Sequence, residues 1–98
     1  MDHSDREVAV VVPCHNLGRT VEETVDSVLA QTRLAAEIVV VDDGSEDVAT
    51  RQALARLRRS RCRVLPIEHA GVAVARNRGA EATRAPYIVF LDADDVLA

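Results

Sequence analysis

Two acidic clusters carry most of the chemistry this chain has to offer. Asp42-Asp43-Gly44-Ser45 ends the run Ile38-Val39-Val40-Val41, and Asp92-Ala93-Asp94-Asp95 follows Tyr87-Ile88-Val89-Phe90-Leu91. Grouped carboxylates repel one another unless something positive sits among them. Their oxygens are hard donors, which suit Mg²⁺ or Mn²⁺, and such ions share their coordination with substrate phosphates. One cluster therefore reads as a metal holder and the other as an acceptor of hydrogen bonds from a nucleobase or ribose. Each motif alone is weak, since DDGS also makes a turn and helix cap and DADD an exposed acidic turn. DADD is not a calcium loop, because the sixth position that must be Gly is Leu97.

The elements that must position these residues are legible in the periodicity. Glu7–Pro13 and Glu37–Asp43 are continuous apolar runs, the mark of strands covered on both faces. Between them, Thr20 opens a helix, with Glu23 completing a capping box and Val21, Val25, Val28 and Leu29 forming one stripe. Ser45 is the expected cap of a helix over 46–59 that ends Arg-rich, as its dipole favours. A shorter strand, 62–68, carries Pro66 and is expected at an edge. A helix over 71–85 follows, its Gly79 tolerable if it packs closely on a sheet. Pro86 stops that helix, and 87–91 is the fourth strand. This alternation predicts a parallel sheet with helices on both faces. In such sheets ligands bind outside the carboxyl ends of the strands, and all four ends are polar here.

Composition removes several classes. The 98 residues allow one domain with a modest core, burying roughly 60–65% of the unfolded surface. No apolar run approaches a membrane span, and the polar start MDHSDREVAVVVP is not a signal peptide. Net charge is −4 and every one of the 12 basic residues is Arg, so a nucleic-acid footprint is absent. The Arg cluster over 56–63 reads as a solvated helix end. Cys14 and Cys62 read as reduced core thiols. Cys14 is no nucleophile paired with His15, because strand neighbours face opposite sides. Cys14, His15, Cys62 and His69 lack the paired spacing of zinc knuckles. With neither GxGxxG nor a Walker lysine, the phosphate-loop folds are excluded.

In combination, VVVPCHN, SVLAQT, EIVVVDDGS, GVAVARNRG and YIVFLDADD, in this order, strongly resemble the amino-terminal half of family 2 glycosyltransferases, from about Val8 to Ala98. The resemblance implies a three-layer, Rossmann-like GT-A sheet, here incomplete, forming a single nucleotide-diphospho-sugar-binding domain over 1–98. It implies a nucleotide-diphosphate-sugar donor, a UDP-sugar first, with Pro13, His15 and Asp43 contacting the nucleoside and Asp42 in support. The DxD motif maps onto Asp92 and Asp94, with Asp94 the metal ligand and Asp92 on the ribose or a metal-bound water; the metal is Mg²⁺ or Mn²⁺. Arg76 is placed on the nucleotide or against these aspartates. His15 departs from the Tyr that many members carry.

For a complete enzyme the resemblance implies inverting transfer of the sugar to a hydroxyl of a glycan, lipid or small molecule. The acceptor half and its carboxylate base are expected beyond Ala98, so no catalytic residue is assigned and the chain alone is expected to be inactive. A cytoplasmic location is expected, at the membrane face in a full-length protein, with a homodimer or covered sheet edge. Two other readings compete. A phosphorelay receiver fails because a full strand and helix precede IVVVDD and its late-strand Lys is impossible in this chain. A truncated, non-catalytic nucleotide-binding or interaction module is the stronger alternative.

Overall fold

The computed structural model describes residues 8–31, 37–59 and 62–93. Strand and helix alternate as β1 (Val8–Cys14), α1 (Gly18–Gln31), β2 (Glu37–Asp43), α2 (Val48–Arg58), β3 (Cys62–Ile67), α3 (Val72–Glu81) and β4 (Tyr87–Phe90). The strands form one parallel sheet in the order β3-β2-β1-β4. This is the α/β, helix-flanked sheet that the alternation predicts. Among the described residues, no helix is long and apolar enough to cross a membrane.

The uninterrupted apolar runs belong to the two interior strands. Ala9–Val12 of β1 and Ile38–Val41 of β2 are no more than 5% exposed, because both faces of the sheet are covered. Successive side chains divide between two layers. Val10, Val12, Ile38 and Val40 pack with Val21, Val25 and Val28 of α1 and Leu54 and Leu57 of α2. Val11, Val39 and Val41 meet Ala75 of α3 on the other face. A fully buried valine is worth roughly 1.5–3 kcal/mol against exposure. A one-residue slip would exchange the layers, so burial fixes the register.

α3 approaches the sheet closely through Ala75 and Gly79, four residues apart on one helix face. A Cβ built on Gly79 would lie 2.3 Å from Val11 Cγ1 and 2.9 Å from Val41 Cγ2. The interior glycine therefore gains contact that outweighs its weak helix propensity. Pro66 sits on edge strand β3, as expected. β4 is the other edge of this sheet, with Tyr87, Val89 and Phe90 exposed.

Three helix boundaries differ from the sequence reading. α1 begins at Gly18, so Thr20 lies in its first turn and donates its hydroxyl to Leu17 O (3.1 Å) instead of capping. The first turn is closed by Val21 N donating to Leu17 O (2.8 Å). α2 is capped by Asp47, not Ser45: its carboxylate accepts from Thr50 N (2.7 Å) and Thr50 Oγ1 (2.8 Å). α3 ends at Glu81, ahead of Ala85 and Pro86. Side-chain ties draw the chain away there: Arg63 Nη1 donates to Ala82 O (2.7 Å) and Thr83 Oγ1 to Glu37.

Candidate functional site

The helices following β1 and β2 cover one face of the sheet, and the helix following β3 covers the other. The strand order turns back between β1 and β4, and a crevice at the carboxyl ends of the strands is expected at such a switch point. A cavity of about 340 Å³ occupies that rim, within the range of small-ligand sites. Pro13, His15, Asp43, Arg76 and Asp92, all singled out from sequence, line it together. Asp42 does not line it. Asp94, the expected metal ligand, lies outside the described residues.

Asp43 is the most constrained of these groups. Its side chain is only 4% exposed. Oδ1 accepts from Ala70 N (2.7 Å), while Oδ2 accepts from Gly71 N (3.0 Å) and His69 Nδ1 (3.1 Å). Each carboxylate oxygen offers two lone pairs, so the Oδ1 side retains one acceptor position among the described residues. Backbone O of Asp43 accepts from His15 Nδ1 at 2.6 Å and lies 3.2 Å from His69 Nδ1. The two imidazoles stack with ring centroids 4.1 Å apart and planes 25° from parallel. His69 reaches this position only because residue 44 is glycine. Gly44 has φ 66°, and a Cβ there would lie 2.8 Å from both Cβ and N of His69.

A side-chain clasp holds the loop after β1 against the loop after β2. Asn16, at φ 55°, takes the left-handed conformation that Asn tolerates better than most residues. Its Oδ1 accepts from Glu46 N (2.8 Å) and Asp47 N (3.1 Å), and its N donates to Ser45 Oγ (3.0 Å). Asp42 closes the turn by accepting from Ser45 N at 2.9 Å. Asp42 thus shapes the loop that carries Asp43, a supporting position one residue from the cavity. Cys14 lies beneath the clasp, and burial pushes its thiol above the ordinary range, so it is a poor nucleophile at neutral pH.

Across the cavity, Arg76 of α3 donates Nη2 to Asp92 Oδ1 at 3.1 Å. Both side chains stay near half exposed, while Arg76 Nε is buried without a partner among the described residues. The Asp92 loop is pinned from below, because buried Thr24 of α1 donates its hydroxyl to Ala93 O at 2.7 Å. Asp92 therefore offers an accessible, acceptor-only carboxylate on a fixed loop, which fits a hard cation. His69, Asn16 and Thr24 were not assigned roles from sequence. Glu68-His69 was visible as a polar strand end, but nothing in the spacing placed its imidazole on Asp43.

Residues 9–98 match the family model described as Glycosyl transferase family 2. The chain belongs to this glycosyltransferase family. The uncharacterized glycosyltransferase YibD of Escherichia coli K12 is 35% identical over 97% of the chain, and the uncharacterized glycosyltransferase EpsJ of Bacillus subtilis 38% over 93%. The chain spans only 28% and 27% of those relatives' lengths. The crystal structure of S. aureus TarS 1-349 in complex with UDP-GlcNAc superposes with a TM-score of 0.79 at 28% identity, covering 92% of this chain and 27% of that one. The mannosyltransferase PcManGT from Pyrobaculum calidifontis, in complex with GDP-Man and Mn²⁺, gives 0.75 at 30% identity, covering 92% and 28%. The glycosyltransferase domain thus shares its sheet and its helix layers with proteins solved bound to nucleotide sugars.

Proposed function

We propose that this glycosyltransferase domain binds the donor, a nucleotide-diphosphate sugar, at the cavity on its strand ends. The observation that carries the reading is that Asp43 and Asp92, far apart in sequence, line one cavity with His15 and Arg76 between the same walls. Pro13 and His15 form the apolar and aromatic side against which a base lies. Asp43, with one acceptor position left on Oδ1, takes an N–H of that base, and Asp42 holds the turn in place. UDP and GDP both present such an N–H, and the relatives solved with UDP-GlcNAc and GDP-Man support a donor of this class. We take a UDP-sugar as the first candidate.

Asp92 and Asp94 are the residues we assign to Mg²⁺ or Mn²⁺, which when bound offsets the charge of the departing diphosphate. Arg76 orients Asp92 and adds positive charge beside the diphosphate path. Asp43 and Asp92 are the only carboxylates among the described lining residues, and both have other duties. We assign removal of the acceptor hydroxyl's proton, and with it inverting transfer to a glycan, lipid or small molecule, to a group outside these 98 residues, as the family resemblance implies. We place the domain in the cytoplasm or at the cytoplasmic face of a membrane. Its two free, buried cysteines fit a reducing compartment. A homodimer through the outer edge of β4 is the assembly we propose, read by light scattering.

Calorimetric titration with UDP, with and without Mn²⁺, tests the division of roles. Asp94→Ala is expected to abolish the metal dependence, whereas Asp43→Ala weakens binding even without metal. Identical effects of the two substitutions contradict the assignment.

A further inference from the structure

We infer that His69 sets which base this domain accepts, by closing one oxygen of Asp43. The inference rests on the donor-site reading and deepens it. Proteins that share this fold were solved with UDP-GlcNAc and with GDP-Man, so the sheet alone does not choose the base. Uracil and guanine both bring an N–H to a carboxylate, and they differ in what stands beside it. Guanine places a second donor there, its 2-amino group, whereas uracil places a carbonyl acceptor on each side. A carboxylate with both oxygens open therefore suits guanine, and one with a single open acceptor position suits uracil.

Asp43 is of the second kind. Gly71 N (3.0 Å) and His69 Nδ1 (3.1 Å) both donate to Oδ2, which fills its two acceptor positions. Ala70 N (2.7 Å) fills one of the two on Oδ1, so a single position is left. With the side chain only 4% exposed, these protein donors rather than solvent decide what the carboxylate can accept.

Of the three donors, His69 is the one that belongs to a side chain. Its Nδ1 meets only acceptors, Asp43 Oδ2 and Asp43 O (3.2 Å), so that nitrogen carries the proton and shares it between them. The ring is held there by its stack on His15 and by the space that Gly44 leaves. His69 and Asp43 both line the cavity, so the acceptor position that Nδ1 covers opens toward the ligand once the donor is gone. His69 thus acts through Asp43 as a positioning residue.

Calorimetric titration of the 98-residue chain with UDP, GDP and inosine diphosphate, each with Mn²⁺, is the test. Inosine diphosphate has a purine and the same ring N–H as GDP but lacks the 2-amino group. The ratio of its Kd to that of GDP therefore reads the second donor with bulk cancelled. In the parent chain UDP is expected to bind at least about tenfold more tightly than GDP, and GDP no more tightly than inosine diphosphate. His69→Leu keeps bulk and removes the Nδ1 donor, and is expected to make GDP bind at least about fivefold more tightly than inosine diphosphate. His69→Ala is expected to show the same preference, so the test does not depend on one variant. His69→Asn keeps an amide donor near the place of Nδ1 and is expected to retain the parent ratio. Thermal melts identify the folded variants. A purely structural role would weaken GDP and inosine diphosphate alike. A ratio unchanged in both His69→Leu and His69→Ala overturns the assignment, as does a shift that His69→Asn shares, while UDP binding by the parent chain leaves the donor site standing. No binding of any nucleotide by the parent chain overturns the donor site itself, and this assignment with it.

Discussion

Asp43→Ala is expected to destabilise the fold as well as weaken ligand binding. The substitution removes hydrogen bonds from Ala70 N, Gly71 N and His69 Nδ1. At about 1.5–3 kcal/mol for each bond to a charged group, the sum would approach the whole stability of a small domain. That sum is too large, because Ala70 is exposed and Gly71 only half-buried, so water recovers both amides once the carboxylate is gone. Counting each bond near the neutral value of ~0.5–1.5 kcal/mol gives about 2–4 kcal/mol. For a domain of this size that is a fall in Tm of about 10–25 °C. The contrary expectation is that a carboxylate kept for binding costs stability, in which case its removal raises Tm. Thermal melts followed by circular dichroism decide between them. A Tm equal to or above that of the parent chain refutes the argument that this carboxylate organises the loop over 68–71.

Three further outcomes follow from the packing and the charges. Gly79→Ala drives a methyl into Val11 and Val41, so it is expected to cost at least about 1–3 kcal/mol, seen as a lower urea midpoint at unchanged slope. An unchanged midpoint means that α3 does not pack as described. The Thr50 amide and hydroxyl hold the Asp47 carboxyl below its ordinary range, and Arg56 does the same for Glu22. Depressed carboxyls stabilise above their unfolded values of about 3.9–4.3, and that contribution is lost as pH falls through the lower folded values. The double change Asp47→Asn with Glu22→Gln should flatten the acid limb of stability against pH, and an unaltered limb refutes this. Burial raises the Cys14 thiol, so its reaction with an aryl disulfide near neutral pH should be slow when folded and fast in denaturant. Equal rates in both states contradict its placement.

The strands and their layers were legible because burial on both faces writes itself into sequence as unbroken β-branched runs, and Val10 to Val12 and Ile38 to Val41 lie where that rule places them. Gly79 was legible for the same reason: an interior helix glycine needs a close neighbour. Helix starts were harder to read, since Thr20, Ser45 and Asp47 are all competent caps. Only tertiary contacts decided among them, Asn16 drawing Ser45 into the clasp and leaving Asp47 free to cap. The gathering of Asp43 and Asp92 at one rim followed from parallel topology. The His15–His69 stack did not, because it depends on a left-handed Gly44 and on how far the loop after β3 folds back, neither of which has a periodic signal.

The most direct measurement is a map of backbone amide shifts in ¹⁵N-labelled chain as UDP is added in the presence of Mg²⁺. Shifts are expected along the carboxyl rim, at Cys14–Leu17, Asp43–Ser45, His69–Arg76 and Leu91–Ala93. Shifts gathered instead around Glu37, Arg63 and Thr83, at the opposite ends of the strands, would contradict the donor site.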